Sequence, residues 1–170
     1  MNRPLVLALT LTLSATGAWG DMCADCVQDK DPDRRLRGCT QMIERGEKEP
    51  QKNRAITYFN RGVAYGRKGE VDRAIADYTK AIALDPNVAL AYTNRGSAYY
   101  RKGEYERAIA DHSKAIAIDP NHANAYYNRG VAYEQKGDKD QAIADFRKVL
   151  EINPSDQDAK VTLELLGVTP

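Results

Sequence analysis

Residues Ala55–Val88, Ala89–His122 and Ala123–Asp156 align with one another at a spacing of 34 residues without a gap. A period of this length marks a repeat architecture, in which each copy is one supersecondary unit that cannot bury its apolar face alone. The copies must therefore stack, each covering its neighbour. The product is an elongated core with an open surface along it, not an enclosed reaction centre.

The apolar period inside a copy is that of a helix pair. In the first copy Tyr58, Gly62 and Tyr65 recur at intervals of four and three, on one face of a helix that begins at Ala55. Lys68-Gly69-Glu70 breaks that helix, and Ala74, Ile75, Tyr78, Ala81 and Ile82 then recur at helical spacing up to Asp85-Pro86. Gly103, Pro120, Gly137 and Pro154 repeat the punctuation. The small residues Gly62 and Ala74, with Gly96, Ala108, Gly130 and Ala142 after them, leave no bulk between the paired helices and predict close backbone approach.

An aromatic, a Gly and a Tyr on the first helix, a Gly at the turn, an Ala and an aromatic on the second, and a closing Pro make a motif that resembles the tetratricopeptide repeat, from Ala55 to Asp156. The departures are His112 at the second-helix aromatic, Lys139 where the second copy has Tyr105, and Val149 for Ala. The resemblance implies an all-α, right-handed α-solenoid of three helix-turn-helix units at 55–88, 89–122 and 123–156. Asp33 to Ile43 aligns with Asp72 to Ile82 and reads as a lone second helix capping the N-terminal end. The polar stretch from Gly46 to Arg54, with Pro50, reads as a linker, so residues 21–54 form cap and connection. In residues 157–170, Ala159, Val161, Leu163 and Leu166 are expected to cover the last open face as a capping helix.

The first twenty residues read as an address. Arg3 precedes an apolar run from Leu5 to Ala15, and Ala18-Trp19-Gly20 offers a signal peptidase small residues for cleavage before Asp21. The run is about half of the roughly 20 apolar residues that span a bilayer, so the mature chain is expected to be soluble, without membrane insertion, and periplasmic or secreted. A lipid anchor would need small residues directly before a cysteine, where Asp21-Met22 precede Cys23. With 25 Lys plus Arg against 24 Asp plus Glu, the charge balance points to neither nucleic acid nor an anionic membrane.

Export places Cys23, Cys26 and Cys39 where disulfides persist. The count is odd, so one thiol is left over whichever pair forms. A bond between Cys26 and Cys39 would close a loop of about 15 residues, worth roughly 3 kcal/mol by chain entropy. Cys23-Ala24-Asp25-Cys26 has the spacing of redox and zinc motifs, but neither a strand–helix unit nor a second ligand pair accompanies it. A thiol-disulfide enzyme using Cys23 and Cys26 is therefore a rival reading, and no other arrangement suggests catalysis, a metal or a cofactor. The leader Cys26, Asp31-Pro32-Asp33, Gly38-Cys39-Thr40 and Ile43, followed by Asn-Arg-Gly repeats, is similar to that of short exported tetratricopeptide proteins of Gram-negative bacteria. That likeness implies pairing of Cys26 with Cys39.

Tetratricopeptide solenoids hold extended peptides or helices on the concave surface made by the first helix of each unit. By resemblance that surface comprises Ile56, Phe59, Val63 and Arg67, then Leu90, Thr93, Ser97, Tyr100 and Arg101, then Asn124, Tyr127, Val131, Glu134 and Gln135. Phe59, Tyr100 and Tyr127 are candidate anchors, or else seam residues. Asn60, Asn94 and Asn128 recur once per unit; in this family an asparagine there can grip the backbone of a bound peptide, and a structural hydrogen bond between helices is the competing role. The carboxylate clamp of chaperone-binding members needs basic residues where this chain has Phe59, Asn124 and Asn128, and asparagine where it has Val63. Arg61, Arg95 and Arg129 stand where the family usually has Leu, and are expected to pair with Asp77, Asp111 and Asp145; solvated arginines on the outer face are the alternative. His112 reads as an aromatic substitute in a seam. The function expected is that of an adaptor binding a protein or peptide, with structural self-association as a homo-oligomer the second reading.

Overall fold

The computed structural model describes residues 24–27, 30–45 and 49–169. The expected signal peptide, its cleavage site and Cys23 lie outside the described residues. After a helical turn at 24–27 come α1 (Pro32–Arg45), α2 (Gln51–Arg67), α3 (Val71–Leu84), α4 (Ala89–Arg101), α5 (Tyr105–Ile118), α6 (Ala123–Lys136), α7 (Lys139–Ile152) and α8 (Gln157–Leu165). No strand occurs among the described residues. The chain is an all-α solenoid in which α2–α3, α4–α5 and α6–α7 are hairpins, each packed on the next.

Each hairpin reverses on a glycine whose φ is positive, +79° at Gly69, +76° at Gly103 and +84° at Gly137, a conformation that costs a residue with a Cβ. The two helices then meet with a ring pressed onto a bare backbone. A Cβ on Gly62 would lie 2.7 Å from Cε1 of Tyr78, one on Gly96 2.8 Å from Cε1 of His112, and one on Gly130 2.9 Å from Cε1 of Phe146. Glycine is required at all three places because the ring occupies the space of the missing carbon.

The arginine at the next position toward the N-terminus fastens the same seam. Arg61 binds both carboxylate oxygens of Asp77 (2.6 and 3.0 Å), Arg95 those of Asp111 (2.7 and 2.8 Å) and Arg129 those of Asp145 (2.8 and 2.8 Å). The remaining nitrogen reaches into the preceding unit, where it donates to the hydroxyls of Thr40, Thr79 and Ser113. Two tyrosine rings flank each guanidinium: Tyr58 and Tyr65, Tyr92 and Tyr99, Tyr126 and Tyr133, at 5.6 to 5.9 Å. The expected pairing is thus present and is more than a pair, since one cation ties two helices of its own unit to the helix before them. Planar bidentate geometry and two π faces are interactions that lysine could not reproduce.

The first repeat has the same neighbour on its N-terminal side that the later repeats have. Thr40 on α1 receives Arg61 just as Thr79 receives Arg95. Lys68 pairs with Asp33 as Lys102 does with Asp72 and Lys136 with Glu106. Arg67 donates to the Lys30 carbonyl (3.2 Å) as Arg101 does to that of Gly66 (3.1 Å). Residues 24–27 and Lys30 therefore stand in for a missing first helix, with Cys26 buried against Cys39 and Met42, and the two sulfurs 2.11 Å apart.

Two local expectations need correction. Gln51–Arg54, read as linker, is helical: α2 begins directly after Pro50, whose ring fixes a φ suited to a helix start, and the Gln51 side chain donates to the Leu84 carbonyl at 2.8 Å. In α8, Ala159 and Leu163 are fully buried, with Leu166 packed beside them, but Val161 is 51% exposed. Val161 lies two residues from each buried position, which on a helix is the far side.

Candidate functional site

The first helices of the hairpins, α2, α4 and α6, present Phe59, Thr93 and Tyr127 at one level, then Asn60, Asn94 and Asn128, then Val63, Ser97 and Val131. Burial differs along this row. Phe59, Asn60, Val63 and Thr93 are buried, and Ile56 with them; Phe59 and Val63 belong to the cluster of Ala74, Tyr78, Ala81 and Ala91 between the first two hairpins. Asn94, Ser97, Tyr100, Tyr127, Asn128 and Val131 are partly exposed, while Arg67 and Arg101 are exposed but held to backbone carbonyls. The accessible part of the row lies in the second and third repeats.

The rings divide in the same way. Phe59 packs on Tyr78 with centroids 6.0 Å apart, and Tyr127 on Phe146 at 5.4 Å, so both face the seam inside their own hairpin. Tyr100 instead lies against Tyr105 at 5.4 Å, with Glu134 close enough to help burial hold its phenol above the ordinary range. The three asparagines have three different environments. The Asn60 amide nitrogen is buried without a hydrogen-bond partner, Asn94 lies beside the Tyr78 phenol, and Asn128 donates to the Ser97 hydroxyl at 3.4 Å.

Between the second and third repeats Ser97, Tyr100, His112, Asn128 and Val131 surround a shallow recess too narrow to admit a water molecule. Four of these were expected on the inner face. The fifth, His112, was expected as a seam residue, and it is that as well, since its ring covers Gly96. His112 is fully buried, neither ring nitrogen has a partner, and burial, then Arg129, pushes its pKa down to about 3. Nearby, the Thr93 hydroxyl donates to the Ala89 carbonyl at 3.1 Å and lies 3.0 Å from Nε2 of His122. Burial lowers the pKa of His122 also.

Among the described residues no group of three or more His, Cys, Asp or Glu is placed to hold a metal ion, and no helix is long and apolar enough to cross a membrane. Chemically, the row offers amide, hydroxyl and aromatic groups that bind without reacting.

Comparison with known proteins agrees with this arrangement. The family described as TPR repeat matches residues 62–103 and 96–137, and the tetratricopeptide repeat matches residues 123–156. No curated protein sequence matches the chain. Among solved structures, the first such domain of Spaghetti (RPAP3), bound to the HSP90 peptide SRMEEVD, is 31% identical with a TM-score of 0.67, over 68% of this chain and 92% of that one. The TPR domain of Arabidopsis OM64 is 30% identical (TM-score 0.68; 69% and 98% covered), and MamA is 29% identical (TM-score 0.73; 80% and 77% covered). With its repeats matched from Gly62 to Asp156 and its hairpins stacked as the motif requires, the chain belongs to the tetratricopeptide repeat family.

Proposed function

We propose that the protein is an exported adaptor that holds a segment of another polypeptide along the inner face of its second and third repeats. The observation that carries this reading is the change in burial along the row: the first-repeat positions are consumed by packing, whereas Asn94, Ser97, Tyr100, Tyr127, Asn128 and Val131 keep accessible surface. Amide and hydroxyl groups at that spacing suit the main chain of an extended peptide, and partly exposed tyrosines supply contact area at low entropic cost. Related domains of RPAP3 are solved with HSP90 and HSP70 peptides, which supports a protein or peptide ligand. The ligand here differs from a chaperone's acidic tail, because Phe59, Asn124 and Asn128 stand where the clamp needs bases.

Tetratricopeptide repeats generally act as non-catalytic scaffolds, and this reading needs no chemistry from Cys26, whose sulfur is buried against Cys39. Export from the cytoplasm, cleavage before Asp21 and a Cys26–Cys39 disulfide complete the proposal. Trp19 is the only tryptophan, so the exported protein should lack tryptophan fluorescence.

A photo-crosslinking residue placed at Tyr127 on the inner face, and separately at the exposed Ala117 on α5, tests the groove in the native compartment. An adduct formed from position 127 and not from 117 is expected. Equal adducts from both positions, or none from 127, would refute inner-face binding.

A further inference from the structure

The last helix departs from what the end of a solenoid requires. A terminal element needs a polar outer face to stay soluble, yet α8 leaves Val161 51% and Leu165 82% exposed, the two barest large apolar side chains among the described residues. Their register explains where they stand. Val161 follows Tyr127, and Leu165 follows Val131, by one full period of 34 residues. The helix also docks as a first helix does: Ala159 is fully buried at the place held by Ala91 and Ala125, and Asn153-Pro154 precedes α8 as Asp119-Pro120 precedes α6. Tyr127 and Val131 of α6 pack against the cluster of Ala142, Phe146 and Leu163, and so do Leu166 and Val168 beyond α8's exposed face. The inner row therefore has a fourth rung, and that rung is wholly apolar.

Charge gives the rung a sign. Exposed carboxylates elsewhere on the helices meet cations, Asp33 with Lys68, Asp72 with Lys102, Glu106 with Lys136 and Glu151 with Lys148. Glu134 and Glu164 are exposed and join no ion pair among the described residues. Each stands three residues after an apolar member of the row, Glu134 after Val131 and Glu164 after Val161, a spacing that puts neighbours side by side on a helix. Lys160, the one base of α8, is a step of about 100° round the helix from Val161 and lies off this face. The arginines of the row, Arg67 and Arg101, belong to the first two repeats, where each is tied to a backbone carbonyl.

We propose that the inner row continues onto α8, where Val161 and Leu165, rimmed by Glu134 and Glu164, take a stretch of partner polypeptide that carries a bulky apolar side chain flanked by lysine or arginine. The apolar side chain covers the two bare residues and returns the hydrophobic free energy that their exposure forgoes. The flanking cations supply the charge that the two carboxylates lack. A second copy of this chain is the poorer occupant, because α8 against α8 would bring acidic rims together.

The inference rests on inner-face binding, but its test uses a phage library of random dodecapeptides in place of the natural partner. Panning on the immobilised chain from Asp21 onward should enrich peptides with Leu, Ile, Met or Phe flanked by Lys or Arg, and panning on Leu165→Ser should not. The side chain at 165 is bare, so this variant should melt as the parent does. The most enriched peptide, labelled and followed by fluorescence anisotropy, should bind Leu165→Ser about tenfold more weakly. It should bind Glu164→Gln about two- to fivefold more weakly, a difference that vanishes in about 1 M salt. The proposal is overturned if no peptide is enriched, if the enriched peptides are acidic or lack a large apolar residue, or if Leu165→Ser retains them. Sedimentation showing a dimer that Leu165→Ser dissolves would overturn it as well, and would assign α8 to a second copy. Any of these failures together with an adduct from position 127 removes the fourth rung and leaves the inner face of the second and third repeats standing.

Discussion

His112 makes the stability of the stack depend on pH in a way that one substitution should abolish. Its folded-state pKa is about 3 against an ordinary value of 6.5, because the buried ring has no partner to accept a charge. The unfolded chain therefore binds more protons than the folded one at any pH between those values, and stability rises with pH across that window. The contribution is complete above about pH 6.5 and is lost as the pH falls toward 3. Each pH unit inside the window costs about 1.4 kcal/mol, so moving from about pH 7.5 to about pH 5 should remove about 2 kcal/mol. Phenylalanine occupies the equivalent place over Gly130, so His112→Phe should fold and lack this dependence. His122 is retained in both proteins and its contribution cancels in the difference. Urea unfolding at the two pH values, for the wild type and the variant, measures the effect. Parallel losses in both proteins would refute the argument that a buried, partnerless imidazole governs the acid limb.

Other substitutions test the seams. Asp111→Ala strands the Arg95 guanidinium between two helices and should cost about 2–4 kcal/mol by thermal or urea melting, far more than the exposed Glu134→Ala; equal small losses would mean the pair contributes nothing. Replacing both partners with leucine should recover much of that loss, since no charge is then buried alone. Gly130→Ala should destabilise by about 1–3 kcal/mol because its Cβ would meet the Phe146 ring at 2.9 Å, whereas Gly66→Ala, whose nearest neighbour is 3.6 Å away, should be neutral or gain a few tenths of a kcal/mol. Reducing the proposed Cys26–Cys39 bond, 13 residues apart in sequence, should lower stability by about 3 kcal/mol, read as a fall in Tm under reductant that Cys39→Ser reproduces.

What the sequence reveals and what it hides divide along physical lines. The hairpins, their order and the turn glycines are legible because a gapless period repeats every requirement three times. The Arg–Asp seam is legible for the same reason, recurring at a separation of 16 residues in each unit. The tyrosines that sandwich each guanidinium were visible as a helical stripe but not as cation partners, since stripe and sandwich use the same spacing. The stand-in for the missing first helix was hidden: its decisive contact is made to the Lys30 carbonyl, and a backbone oxygen leaves no mark in composition. The inner row was legible as a row. Its division into a buried first-repeat part and an accessible remainder was not, because burial of Phe59 and Val63 is decided by a neighbouring hairpin's packing. The partnerless burial of His112 escaped because an imidazole and a phenyl ring fill the same place over a glycine, and composition does not show which nitrogens find partners.

The counterfeit rung at the N-terminal end has a consequence for how the molecule comes apart. A linear array loses structure from whichever end is held by fewer contacts. Here one end is bolted by Thr40, Asp33 and the Lys30 carbonyl, while the other closes with a nine-residue helix whose Leu165 is 82% bare. Unravelling should start at α8 and travel backwards, so amide exchange would sweep through α7 and α6 while α2 stays protected. The accessible half of the inner row lies on the side that loosens first, so an occupant bridging α4 and α6 would brace the array where it is weakest.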